Sequence, residues 1–200
     1  MLEVLISQFN DNTPAELVAV AFAIAYLLLA VREKIACWYA AFISTGIFTF
    51  LFFDVRLYME SALQVYYLLM AVYGWYQWKH GGTIDESLPI SIWTIRQHLI
   101  ALTLICVATL TSTYFLTRYT DAHLPLLDSF TTWGAVITTY MVAKKILENW
   151  VYWLVIDSAS IYLYVDRAMY FTTLLFIAYV VIIFFGWASW LRSYRQNQIA

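Results

Sequence analysis

"YGWYQW", residues 73–78, and "FGWASW", residues 185–190, both read Gly-Trp-x-x-Trp and lie 112 positions apart. Sliding the chain against itself by 112 residues, without gaps, aligns Gly74, Trp75 and Trp78 with Gly186, Trp187 and Trp190. The same shift sets Trp38 on Trp150, Asp54 on Asp166, Tyr58 on Tyr170 and Tyr67 on Tyr179. Apolar sequences match easily, so no single pair carries weight. A register shared by three apolar stretches, two Asp-bearing turns and two Trp motifs does, and it predicts one unit built twice.

The solvent for that unit is lipid. Of the 200 residues 63% are hydrophobic and 12% charged, with a mean hydropathy of +0.71, and a soluble domain carries about twice that charged fraction. A membrane-crossing helix needs roughly 20 apolar residues. Spans are expected at 15–31, 35–53, 57–78, 97–117, 128–143, 149–165 and 169–190, giving a single membrane domain over 1–200. The acidic N-terminus "MLEVLISQFNDNTPAE" lacks the basic region of a cleaved signal, so the first apolar run is expected to remain as a span. With seven spans, Arg32, Lys34, Lys79, Arg96, Lys144, Lys145, Arg192 and Arg195 fall on one side. Only Arg56, Arg118 and Arg167 fall on the other, and this bias predicts a cytoplasmic C-terminus and an outside N-terminus. The net charge of −2 leaves no nucleic-acid footprint.

The register divides the chain into repeat one, 15–78, a linker helix, 97–117, and repeat two, 128–190. An odd linker makes both repeats cross the membrane in the same direction. Such 3+1+3 parallel repeats, related by an axis along the membrane normal, are the architecture of SWEET-type transporters, with a substrate site near the bilayer midplane between the halves. The fold class is therefore an all-α, seven-helix membrane protein, and transport is its predicted role.

"YGWYQW", the "REK" before the second span and above all "ENWVYWLVID" at 148–157 are similar to the PnuC vitamin-precursor transporters, over essentially the whole chain. The resemblance implies a SWEET-like homotrimer in the bacterial inner membrane. It also implies facilitated diffusion of nicotinamide riboside, trapped by a cytoplasmic kinase, with no cofactor; other branches of the family carry thiamin or riboflavin. Asn149 becomes a candidate contact through this motif. The chain departs from some nicotinamide riboside carriers at Ser44 and Asp157, where they have Asn, and the departure bears on substrate identity.

Candidate ligand contacts follow from helical spacing. Trp150, Trp153, Asp157 and Tyr164 share one face of the sixth span. An ionised carboxylate at mid-membrane costs about 2.5–3.5 kcal/mol on insertion scales, which marks Asp157 as functional. Nicotinamide riboside and thiamin both carry a cationic aromatic ring, which Trp faces attract and a carboxylate complements. On the third span Glu60, Gln64, Tyr67 and Trp75 lie on or near one face. Gln64 and Tyr67 fit hydrogen bonds to a ligand or helix–helix contact equally well. Ser44 and Thr45 match Ile156 and Asp157 in the register and complete the candidates. Trp78 and Trp190 read as interfacial anchors on the basic side, with Gly74 and Gly186 permitting close helix approach.

An intramembrane enzyme needs a nucleophile with its base, a metal set or a carboxylate dyad. The chain has no H-E-x-x-H, G-x-S-x-G or P-loop motif, and His80, His98 and His123 form no local ligand set. The reading is a carrier and not an enzyme.

Overall fold

The computed structural model describes residues 13–54, 58–82, 88–166 and 169–198. Among them are seven helices: α1 (Pro14–Val31), α2 (Ala36–Asp54), α3 (Tyr58–His80), α4 (Ile95–Tyr119), α5 (Pro125–Ala143), α6 (Asn149–Asp166) and α7 (Tyr170–Asn197). Each coincides with an expected span, and the ends follow local chemistry. Thr13 caps α1 by accepting the Glu16 N–H at 3.2 Å, with Pro14 in its first turn. Thr94 and Gln97 close a capping box on α4. Pro125 opens α5. The seventh helix runs on through the polar "LRSYRQN" to Asn197, because a helix does not stop where the apolar run does.

By length and hydropathy, three stretches among the described residues are apolar enough to cross a membrane: α1, α4 and Thr172–Asn197 of α7. The other helices are rich in Tyr, Trp and Thr, which lower mean hydropathy. Some of their hydroxyls are satisfied internally: Thr138 and Thr139 each donate to a carbonyl one turn back, Gly134 and Ala135, at 2.8 Å. Large apolar side chains such as Phe50 and Leu99 are 78% and 60% exposed, as suits a lipid-facing surface.

Helices α1, α2 and α3 pack in sequence, as do α5, α6 and α7. The two trios meet twice, α3 against α5 and α7 against α1, which closes a ring of six helices. The described residues of helices opposite one another in the ring make no close backbone contact. Helix α4 stands outside the ring and packs on α5.

Helices α1 and α5 end in the same way. Glu33 and Lys145, 112 residues apart, both take left-handed backbone, with φ of 54° and 50°. Each sits in a Schellman turn: Lys34 and Glu33 donate to Leu29 and Ala30, while Ile146 and Lys145 donate to Met141 and Val142. Glycine is the usual occupant, and any other residue there costs roughly 1–2 kcal/mol. Among the described residues, a strap before α4 lies over the second of these turns. Ser91 donates to Lys145 at 3.0 Å and accepts from Leu147 at 2.8 Å, and the Trp93 N–H donates to Glu148 at 3.3 Å.

Candidate functional site

At the end of the ring carrying the Schellman turns, four indoles form a chain. Trp38 meets Trp78 edge-on, with centroids 5.5 Å apart; Trp78 meets Trp190 at 6.0 Å; and Trp190 meets Trp150 edge-on at 5.4 Å. Gly74 and Gly186 make this possible. A Cβ on Gly74 would lie 2.3 Å from the Trp38 ring, and one on Gly186 2.5 Å from the Trp150 ring. The middle two indoles then cross between the trios. Trp78 Nε1 donates to the Val142 carbonyl at 3.1 Å, and Trp190 Nε1 to the Ala30 carbonyl at 2.9 Å. Trp78 is 2% exposed and Trp190 fully buried, so the interfacial-anchor reading of this pair is corrected. A Trp beside basic residues at a helix end resembles an anchor in sequence; here the crossing on a bare glycine draws it inward.

Above this seal, Asp157 on α6 is 5% exposed. Among the described residues its carboxyl makes no hydrogen bond or ion pair, although Tyr67 of α3 and Tyr179 of α7 both lie within its electrostatic reach. Tyr164 on α6 interacts with the same two tyrosines. Tyr26 of α1 reaches Tyr67. These tyrosines are half-buried, as side chains lining a crevice are. In the second trio the aromatic lining is continuous, with Phe176 5.0 Å from Tyr164 and 5.5 Å from Tyr179. A buried carboxyl ringed by tyrosines from both trios can accept a flat, electron-poor ring, and their hydroxyls can bond to sugar or amide groups.

The other candidates distribute unevenly. Trp153 is half-buried on the Asp157 face. Gln64 is half-buried one turn from Tyr67 on α3. Ser44 donates across to the Ala19 carbonyl of α1 at 2.8 Å, holding two helices together. Thr45 donates back to Ala41 of its own helix at 2.8 Å. Asn149 is fully buried and donates to Ile146 at 2.6 Å, at the start of α6. Trp150 belongs to the indole chain. Trp75 lies on the outer side of α3, where Nε1 donates to the Tyr39 hydroxyl at 2.9 Å and Lys79 stands 4.8 Å from its ring. Glu60 falls within α3, but its side chain lies outside the described residues, as do Arg56 and Arg167. Tyr26 and Tyr179 were not among the sequence candidates. The signal for Tyr179 was its alignment with Tyr67; none pointed to Tyr26. Among the described residues no group of three or more His, Cys, Asp or Glu is placed to hold a metal ion.

Known proteins are similar to this chain in sequence and in fold. A family model described as nicotinamide mononucleotide transporter matches residues 13–192. The nicotinamide riboside transporter PnuC of Escherichia coli is 24% identical over 194 residues, covering 84% of this chain and 81% of that protein. The riboflavin/roseoflavin transporter RibM of Streptomyces davaonensis is 26% identical over 178 residues, covering 86% of this chain and 82% of its own. A crystal structure of the vitamin B3 transporter PnuC superposes with a TM-score of 0.75 at 21% identity, covering 98% of this chain and 90% of that one.

Proposed function

Because the chain belongs to the nicotinamide mononucleotide transporter family, we propose that it takes up nicotinamide riboside by facilitated diffusion across the bacterial inner membrane. The observation carrying this reading is Asp157, a buried carboxyl facing Tyr67 and Tyr179 at the junction of the two trios. A carboxylate there complements the fixed positive charge of the nicotinamide ring, and desolvation strengthens the attraction. No Lys or Arg stands among the described groups that interact with Asp157, which favours the uncharged ribose over a phosphorylated one. Trp153 and Gln64 supply further contacts, while Ser44 and Trp150 join helices that shape the site and Thr45 and Asn149 bond within their own segments.

The 112-residue register and the paired Trp–Gly crossings support two repeats, 15–78 and 128–190, joined by the linker helix 97–117. The repeats rock about the Asp157 site with no coupled ion. The C-terminus is cytoplasmic, a kinase there traps the product by phosphorylation, and the carrier assembles as a homotrimer. Thiamin, with its own cationic ring, is the second substrate compatible with Asp157, and the RibM relative is the reason to include riboflavin. Uptake into proteoliposomes tests all three. Saturable nicotinamide riboside flux, insensitive to a proton gradient, is the expected result; flux of riboflavin alone would overturn the charge argument.

A further inference from the structure

We propose that Glu33 and Lys145 are the latch of a gate between the Asp157 crevice and the end of the ring that carries the indole chain. This rests on the transport reading above, in which that end faces the cytoplasm. The Lys145 ammonium lies 3.0 Å from the Glu33 carboxylate, and the two residues belong to different trios. Both occupy left-handed backbone where glycine is free of strain, with φ of 54° and 50°. Glycine would make either turn at less cost. Here both positions carry long charged side chains instead, and those side chains meet. Backbone strain kept at a contact is the mark of a functional element.

The pair is built to hold in one state and separate in another. The Lys145 side chain is 3% exposed and stands 4.7 Å from the Trp78 ring, whereas Glu33 is 23% exposed. A buried cation is stable only while its partner is present, and separation is tolerable only if water enters with it. The pair therefore favours two arrangements, closed and dry or parted and wet. Around it the same seam carries Trp78 to Val142, Trp190 to Ala30 and Lys144 to Gln77, the last at 2.9 Å. The two indole bonds are neutral and gain less from hydration, so the ion pair is the switchable member. For the crevice to open at this end, Glu33 must leave Lys145.

Cys37 is a built-in reporter. It is fully buried in the first turn of α2, its N–H donates to the Lys34 carbonyl at 2.9 Å, and Lys145 is within electrostatic reach of it. The described chain has one other thiol, the exposed Cys106. In a Cys106→Ser background of the full chain, reconstituted in liposomes, the rate of N-ethylmaleimide labelling at Cys37 reads opening without any substrate. The double variant Glu33→Gly with Lys145→Gly relieves both strained turns and leaves no unpaired charge. It is expected to label about tenfold faster with a melting temperature equal to or above the parent's. Exchanging the charges, Glu33→Lys with Lys145→Glu, is expected to return labelling toward the parent rate. Unchanged labelling in the glycine variant overturns the latch. So does faster labelling with a lowered melting temperature, or failure of the exchanged pair to slow it. Because labelling needs no ligand, a parent that labels slowly yet carries no nicotinamide riboside would remove the substrate reading and leave the gate standing.

Discussion

The two helix trios are alike at one end of the ring and unlike at its centre. At the end, Trp38 over Gly74 repeats as Trp150 over Gly186, and Trp78 bonded to Val142 repeats as Trp190 bonded to Ala30. At the centre, Thr45 bonded to its own helix stands where the second trio has Asp157. Ser44, which ties α2 to α1, stands where the second trio has Ile156. The difference teaches that matched positions make the frame, while mismatched positions distinguish what the frame holds.

Breaking the matched part should hurt both trios equally. Gly74→Ala and Gly186→Ala each force a methyl into an indole held on other sides, and overpacking of this kind costs about 1–3 kcal/mol. Thermal unfolding of the two variants in detergent should show similar losses; a loss confined to one would mean that the likeness is only geometric. Breaking the mismatched part should spare the fold. Asp157→Asn is expected to weaken nicotinamide riboside binding about tenfold, near 1.4 kcal/mol, while a neutral analogue lacking the ring charge is little affected. Calorimetric titration of both ligands checks this, and equal losses would argue against charge recognition.

Smaller effects sharpen the comparison. Trp78→Phe and Trp190→Phe each remove one buried hydrogen bond and leave a carbonyl with less capping, at about 1 kcal/mol apiece. Unfolding midpoints should fall together. Thr45→Ala deletes only a bond within its own helix, so transport and stability should change by a few tenths of a kcal/mol. A large transport defect there would bring Thr45 into the site beside Asp157.

Much of this was readable in the sequence because it rests on period and composition. The helices, the matched Trp and Gly residues and the isolated carboxyl at Asp157 all leave marks in one dimension. The burial of Trp78 does not, since its environment depends on which helix crosses Gly74 and how closely. Nor does the strap over the second trio, where His98 Nδ1 lies 2.9 Å from the Tyr152 hydroxyl and Ser91 pairs with the α5–α6 turn. Those contacts join residues more than 50 positions apart and carry no local signature. Tyr26 entered the crevice lining for the same reason: only the closing of the ring brings its side chain within reach of Tyr67, on a helix that α1 does not pack against.

The Glu33–Lys145 contact has one more consequence. In an assembly of two identical chains, a residue lying on the twofold axis meets its own copy, so glutamate would face glutamate and lysine would face lysine. Opposite charges at such a point are open only to a single polypeptide whose two versions of the position are written separately. The same holds for Asp157, which gives the centre one carboxyl instead of two repelling ones. Carrying both trios on one chain is thus what lets the ring hold an attraction where Glu33 meets Lys145 and a single carboxyl at Asp157.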